Sequence, residues 1–122
     1  MVSPQARASV LLVEDEALIR MLFAENLVGL GHTIAAEAGN LASGLTLAKE
    51  RDYQLAILDV NLNGRPSFPI ADVVRARGKA LVFVTGYGSS GLAADYEGVA
   101  VLQKPFGPTE LSEAISSALT EG

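Results

Sequence analysis

The sequence predicts an α/β protein of the open, doubly wound kind, with a mostly parallel sheet and helices on both faces. Three observations predict it. Four short apolar runs, at residues 10–13, 55–58, 81–84 and 99–102, alternate with stretches of helical period. Each run ends beside a polar residue: Glu14-Asp15, Asp59, Thr85-Gly86 and Lys104-Pro105 respectively. The 122 residues, 49% hydrophobic and 19% charged, suit one domain over 1–122 with a core at about 8–119.

The elements follow in order. After the first run, a helix is expected over 17–30, with Leu18, Ile19, Leu22, Phe23, Leu27 and Leu30 on its buried side and Gly31 as its stop. Residues 33–38 read as a weaker edge strand because they include Glu37. Asn40 is a suitable N-cap for a helix over 41–51 that turns Leu41, Leu45 and Ala48 inward. Past Asp59, residues 61–68 read as an irregular stretch with Gly64 and Pro66. A third helix begins near Pro69, a favourable first-turn residue, and stops at Gly78. Residues 89–97 support only a short helix. The last helix begins at Pro108 and buries Leu111, Ile115 and Leu119.

Composition excludes several function classes. A net charge of −5 and a pI near 4.7 argue against nucleic-acid binding, which needs a basic footprint. With no cysteine there are no disulfides, thiolate metal sites or cysteine nucleophiles. No apolar run is long enough for a membrane span or a signal-peptide core, so a cytoplasmic protein with no membrane partner is expected.

In an open parallel sheet, ligands bind outside the carboxyl ends of the strands. Glu14, Asp15, Asp59, Thr85 and Lys104 should therefore converge on one edge. Carboxylates roughly 4–6 Å apart repel by about 3 kcal/mol per pair at an effective dielectric of about 20, so such a cluster calls for a cation. Mg²⁺, which takes one or two carboxylates plus waters and phosphate oxygens, fits. Glu14-Asp15 alone would equally serve to cap the following helix. Lys104 can pair with Asp59 at rest and with a phosphoryl oxygen later, and the Thr85 hydroxyl can donate to the same group.

Other motifs carry less. Residues 86–91 match G-x-G-x-x-G, but the acidic residue of a dinucleotide fingerprint would fall near Glu110, inside the last helix. His32, next to Gly31 at a helix end, suits a cation facing the helix dipole. Asp59-Val60-Asn61 lacks the second acid of an aspartate-nucleophile phosphatase.

Glu14-Asp15, Asp59, Thr85 and Lys104-Pro105, in that order and at strand ends, resemble the signature of response-regulator receiver domains. The resemblance implies a flavodoxin-like (βα)5 fold with strand order 2-1-3-4-5. It implies phosphorylation of Asp59 by a histidine kinase or phosphotransfer protein, with signalling through altered contacts to a downstream protein. It further implies Mg²⁺ on Asp15, Asp59 and the Asn61 carbonyl, with Glu14 acting through water. Thr85 and Lys104 would hold phosphoryl oxygens, and the Lys104–Pro105 bond would be cis. Phe83-Val84-Thr85-Gly86-Tyr87-Gly88, with Pro69-Ile70-Ala71-Asp72 and Leu102-Gln103-Lys104-Pro105-Phe106, is similar to the "FAT GUY" receivers of alphaproteobacteria. These mostly stand-alone receivers include several tied to general stress signalling.

The chain departs from ordinary receivers in two places. Leu62-Asn63-Gly64 and a longer loop replace the usual Met-Pro and glycine, and Val101 stands where an aromatic switch residue is expected. The switch is therefore expected in Thr85, Gly86 and Tyr87 and in the glycine-bearing stretch to Gly98. Loss of the phosphoryl group from Asp59 would be slow, unlike turnover by an enzyme. A phosphate sink without an output partner, or a small Mg²⁺-dependent phosphatase with an aspartyl intermediate, are the alternative readings.

Overall fold

The computed structural model describes residues 7–86, 96 and 98–121. Five parallel strands form the sheet: β1 (Ser9–Val13), β2 (Thr33–Ala38), β3 (Leu55–Asp59), β6 (Ala80–Thr85) and β7 (Ala100–Gln103), in the order β2-β1-β3-β6-β7. Counting only these five, the order is the expected 2-1-3-4-5. Among the described residues, four helices cover the faces: α1 (Ala17–Gly29), α2 (Leu41–Glu50), α3 (Phe68–Ala76) and α4 (Pro108–Glu121). Among the described residues, no helix is long and apolar enough to cross a membrane.

The alternation of side chains along each strand divides the core in two. Val10 and Leu12, Leu55 and Ile57, Val82 and Val84 pack with Phe23 and Leu27 of α1 and Leu111 and Ile115 of α4. Leu11 and Val13, Ala56 and Leu58, Leu81 and Phe83 face Ala48 of α2 and Ile70, Ala71 and Val74 of α3. Both faces being covered explains why the central strands read as unbroken apolar runs. α2 lies close to α3 at Gly44, where a Cβ would stand 2.5 Å from Ile70 Cδ1.

The stop and start signals act as expected. Asn40 Oδ1 accepts from the Ser43 amide at 2.8 Å, and Gly31 and Gly78 follow their helices at φ of 98° and 72°. Two expectations need correction. Residues 61–66 are not irregular: β4 (Asn61–Leu62) and β5 (Arg65–Pro66) form an antiparallel hairpin. Its two turn residues, Asn63 and Gly64, have φ of 53° and 84°, the left-handed pair that an Asn-Gly hairpin turn requires. On α1, Leu18 and Leu22 are not buried. They are 64% and 50% exposed and lie with Met21 and Val28 on an outward apolar face, while Phe23 and Leu27 alone are fully buried.

The expectations for Tyr87, the 86–91 glycine motif beyond Gly86 and a helix over 89–97 fall on residues outside those described, apart from Tyr96. Tyr96 is buried, stacks on Phe68, meets Phe83 edge-on and donates its hydroxyl to the Asp72 carboxylate.

Candidate functional site

The carboxyl ends of β1, β3, β6 and β7 bring together all five residues expected there. Glu14 and Asp15 leave β1, Asp59 and Thr85 end β3 and β6, and Lys104 follows β7. The Lys104 amide donates to the Thr85 carbonyl at 2.9 Å, which ties the last two strand ends together. The Lys104–Pro105 bond is cis.

Lys104 Nζ bridges Glu14 Oε1 at 2.8 Å and Asp59 Oδ2 at 3.0 Å. Glu14 is 1% exposed and Asp59 8%, so this ammonium balances two carboxylates withdrawn from water. Burial pushes the Glu14 carboxyl up to about 7, against the opposing pull of Lys104 and the Glu16 amide. Burial also acts to lower the Lys104 pKa, but its bonds to Glu14 and Asp59 outweigh that and carry it above its usual value. The other acceptor positions are set by backbone amides. Asp59 Oδ1 accepts from Asn61, Glu14 Oε2 from Glu16, and Asp15 Oδ2 from Asn63 in the hairpin turn.

One ligand oxygen from each of Glu14, Asp15 and Asp59 lies within 4.8 Å of the others. An all-oxygen donor set of three carboxylates, with one ammonium to offset them, has the chemistry of a site for a hard divalent cation such as Mg²⁺. The open cleft above it, ≈ 530 Å³, is lined by Asp15, Asp59, Asn61, Thr85, Gly86 and Lys104 among others. Glu14 is not part of this lining. Thr85 is buried and Gly86 exposed at the cleft's edge. An ammonium, a hydroxyl-bearing strand end and two carboxylates thus line one opening.

His32 does not act as a cation facing a helix end. It is buried at the opposite edge of the sheet, and its Nδ1 accepts the Ala8 amide at 3.1 Å, which requires an unprotonated nitrogen. Reasoning from sequence also missed two supports of the site. Arg20 donates to the Glu14 carbonyl at 2.6 Å, and the hairpin turn reaches Asp15. The Asn63-Gly64 dipeptide was a signal for the second; an arginine on the first turns of a helix is no signal for the first.

The comparisons agree with this geometry. Residues 10–116 match the response regulator receiver domain family. The transcriptional regulatory protein PdtaR of Mycobacterium tuberculosis is 36% identical over 115 residues, covering 91% of this chain and 56% of PdtaR. The chain thus spans about half the length of the curated relatives it matches. The solution structure of SdrG from Sphingomonas melonis Fr1 is 33% identical, with a TM-score of 0.82 over 97% of this chain and 99% of SdrG. The receiver domain of PhyR from Erythrobacter litoralis is 26% identical, with a TM-score of 0.82 over 97% of this chain and 94% of that one. With the fold, the strand-end acids and lysine, and these likenesses in agreement, the chain belongs to the response regulator receiver domain family.

Proposed function

We propose that this chain is the receiver of a response regulator in a two-component phosphorelay, with Asp59 as the phosphoacceptor. The observation that carries the reading is Lys104 Nζ bridging Glu14 and Asp59 beneath an open cleft. In this reading an Asp59 carboxylate oxygen attacks the phosphorus of a phosphohistidine in line. A bond from phosphorus to Asp59 forms as the bond to the histidine nitrogen breaks. Lys104 turns its ammonium from the carboxylate pair toward a phosphoryl oxygen, and the Thr85 hydroxyl donates to another. Asp15, Asp59 and the Asn61 carbonyl would hold Mg²⁺, with Glu14 acting through water, and the bound ion would supply charge neutralisation for the phosphoryl oxygens.

The partner is a histidine kinase or a histidine phosphotransfer protein, and the outward face of α1 supports this. Among the described residues the exposed large apolar side chains are Leu18, Met21, Leu22 and Val28, all on this helix. Since α1 begins two residues after Asp15, a helical partner seated on that face would bring its histidine over the cleft. The FAT GUY-like motif supports a role in general stress signalling. Output would pass through Thr85, Gly86 and Tyr87 to a downstream protein, in the cytoplasm.

The test is incubation with acetyl phosphate and Mg²⁺ followed by intact mass measurement. One base-labile phosphoryl group is expected on the parent and none on Asp59→Asn. Equal labelling of the two proteins overturns the assignment.

A further inference from the structure

We propose that Arg20 is a positioning residue for the acidic pair, holding the peptide between Glu14 and Asp15 in the orientation that Mg²⁺ binding needs. The inference rests on the reading of Glu14, Asp15 and Asp59 as the cation site. Arg20 sits on the first turns of α1, its own amide bonded to the Glu16 carbonyl at 2.8 Å. Its side chain does not run out into solvent. Nη1 donates to the Glu14 carbonyl at 2.6 Å, and Nε lies 3.5 Å from Glu37 Oε1 on β2.

Room for this path comes from Gly39. A Cβ there would stand 2.8 Å from Arg20 Nη1. Gly39 is not among the glycines with positive φ, so no turn conformation demands it. What the missing side chain supplies is space for the guanidinium.

The consequence falls on Glu14. Its amide donates to the Ala38 carbonyl of β2 at 3.1 Å, and its carbonyl is taken by Arg20. The first bond holds the peptide that enters Glu14, and the second holds the Glu14–Asp15 peptide through its carbonyl, so Arg20 restrains the orientation of that second peptide. Consecutive side chains then leave in set directions: Glu14 inward to Lys104, Asp15 into the cleft and the Asn63 amide. Mg²⁺ demands near-ideal octahedral geometry, so a peptide free to rotate would cost affinity even with every carboxylate present. The planar fork of arginine reaches Glu14 and Glu37 together, which the single ammonium of lysine cannot do in the same geometry.

The test compares the parent with Arg20→Met, Arg20→Lys and Gly39→Ala, each checked for fold by circular dichroism. Mg²⁺ dissociation constants are measured by calorimetry, and acetyl phosphate labelling rates are followed across Mg²⁺ concentrations. Arg20→Met should weaken Mg²⁺ binding by roughly tenfold, the usual effect of losing a group that orients a ligand. Its labelling rate at saturating Mg²⁺ should stay near the parent's. Arg20→Lys should fall between the two. Gly39→Ala keeps the charge but displaces the guanidinium, so it should weaken Mg²⁺ binding in the same direction. That variant decides the matter if Arg20→Met does not fold. Folded variants that melt lower yet bind Mg²⁺ as tightly as the parent would overturn the proposal, leaving Arg20 as a strut between α1 and β2. If the parent neither binds Mg²⁺ nor becomes labelled, the functional reading itself fails and this inference with it. If the parent does both and the variants match it, the inference alone fails.

Discussion

His32 shows how a single buried contact sets a protonation state. Its Nδ1 accepts the Ala8 amide, and burial lowers its pKa from the ordinary value of 6.5. A group whose folded pKa is depressed binds fewer protons in the native state than in the unfolded chain. Its contribution to stability is therefore complete above about pH 6.5 and lost as pH falls through the lower folded value. His32→Asn keeps a side-chain acceptor without a titration in this range. In thermal melts the parent should lose stability between pH 7 and 5 relative to that variant, and identical pH dependence would contradict the assignment. The helix stop at Gly31 was visible in the sequence, but not the Ala8 amide that reaches His32 from 24 residues away. Asp59 and Lys104 were legible for the opposite reason. Each follows an apolar strand, and the end of a parallel strand fixes a location in space without knowledge of any partner.

At the scale of elements, α1 carries two apolar stripes where one would suffice to hold it. Phe23 and Leu27 fill the core; Leu18, Met21, Leu22 and Val28 face outward. Periodicity joined Leu18 and Leu22 to the buried side because the two stripes are adjacent on the helical wheel, and only the packing of neighbours separates them. The stripes should respond differently to substitution. Leu27→Ala should cost roughly 2–5 kcal/mol by leaving a core cavity. Leu18→Ser with Leu22→Ser should shift stability by only about 0.5 kcal/mol each and leave acetyl phosphate labelling intact. The same double variant should slow transfer from a phosphorylated histidine kinase or phosphotransfer protein, read as the rate of label transfer. Unchanged transfer would remove α1 from the docking face. The hairpin β4–β5 escaped notice because its strands are two residues long and one contains Pro66, although Asn63-Gly64 is a strong local turn signal.

At the scale of the molecule, the sheet gathers like charges at one edge, and that arrangement should make metal and stability interdependent. A cation bound only by the native state adds RT ln(1 + [L]/Kd), about 2.7 kcal/mol at 100 Kd. Mg²⁺ should raise the melting temperature of the parent. Asp15→Asn should melt higher than the parent without metal, by relieving repulsion, and should lose the response to Mg²⁺. A parent indifferent to Mg²⁺ would count against the site. The layered α/β class was legible from the alternation of apolar runs and helical stretches. Strand order was not contained in the runs themselves, because each central strand is buried on both faces and carries no mark of its neighbour. The likeness to receivers implies that order, and paired residues such as Val10–Leu55 and Leu55–Ala80 establish it. The ion pair between Lys104 and Glu14 joins residues 90 positions apart in the chain. During synthesis, the acids near the amino terminus emerge long before the lysine that balances them. Until β7 docks against β6, a nascent chain holds its carboxylates without that counter-charge, so the charge-balanced cluster is completed late, with the closing of the sheet.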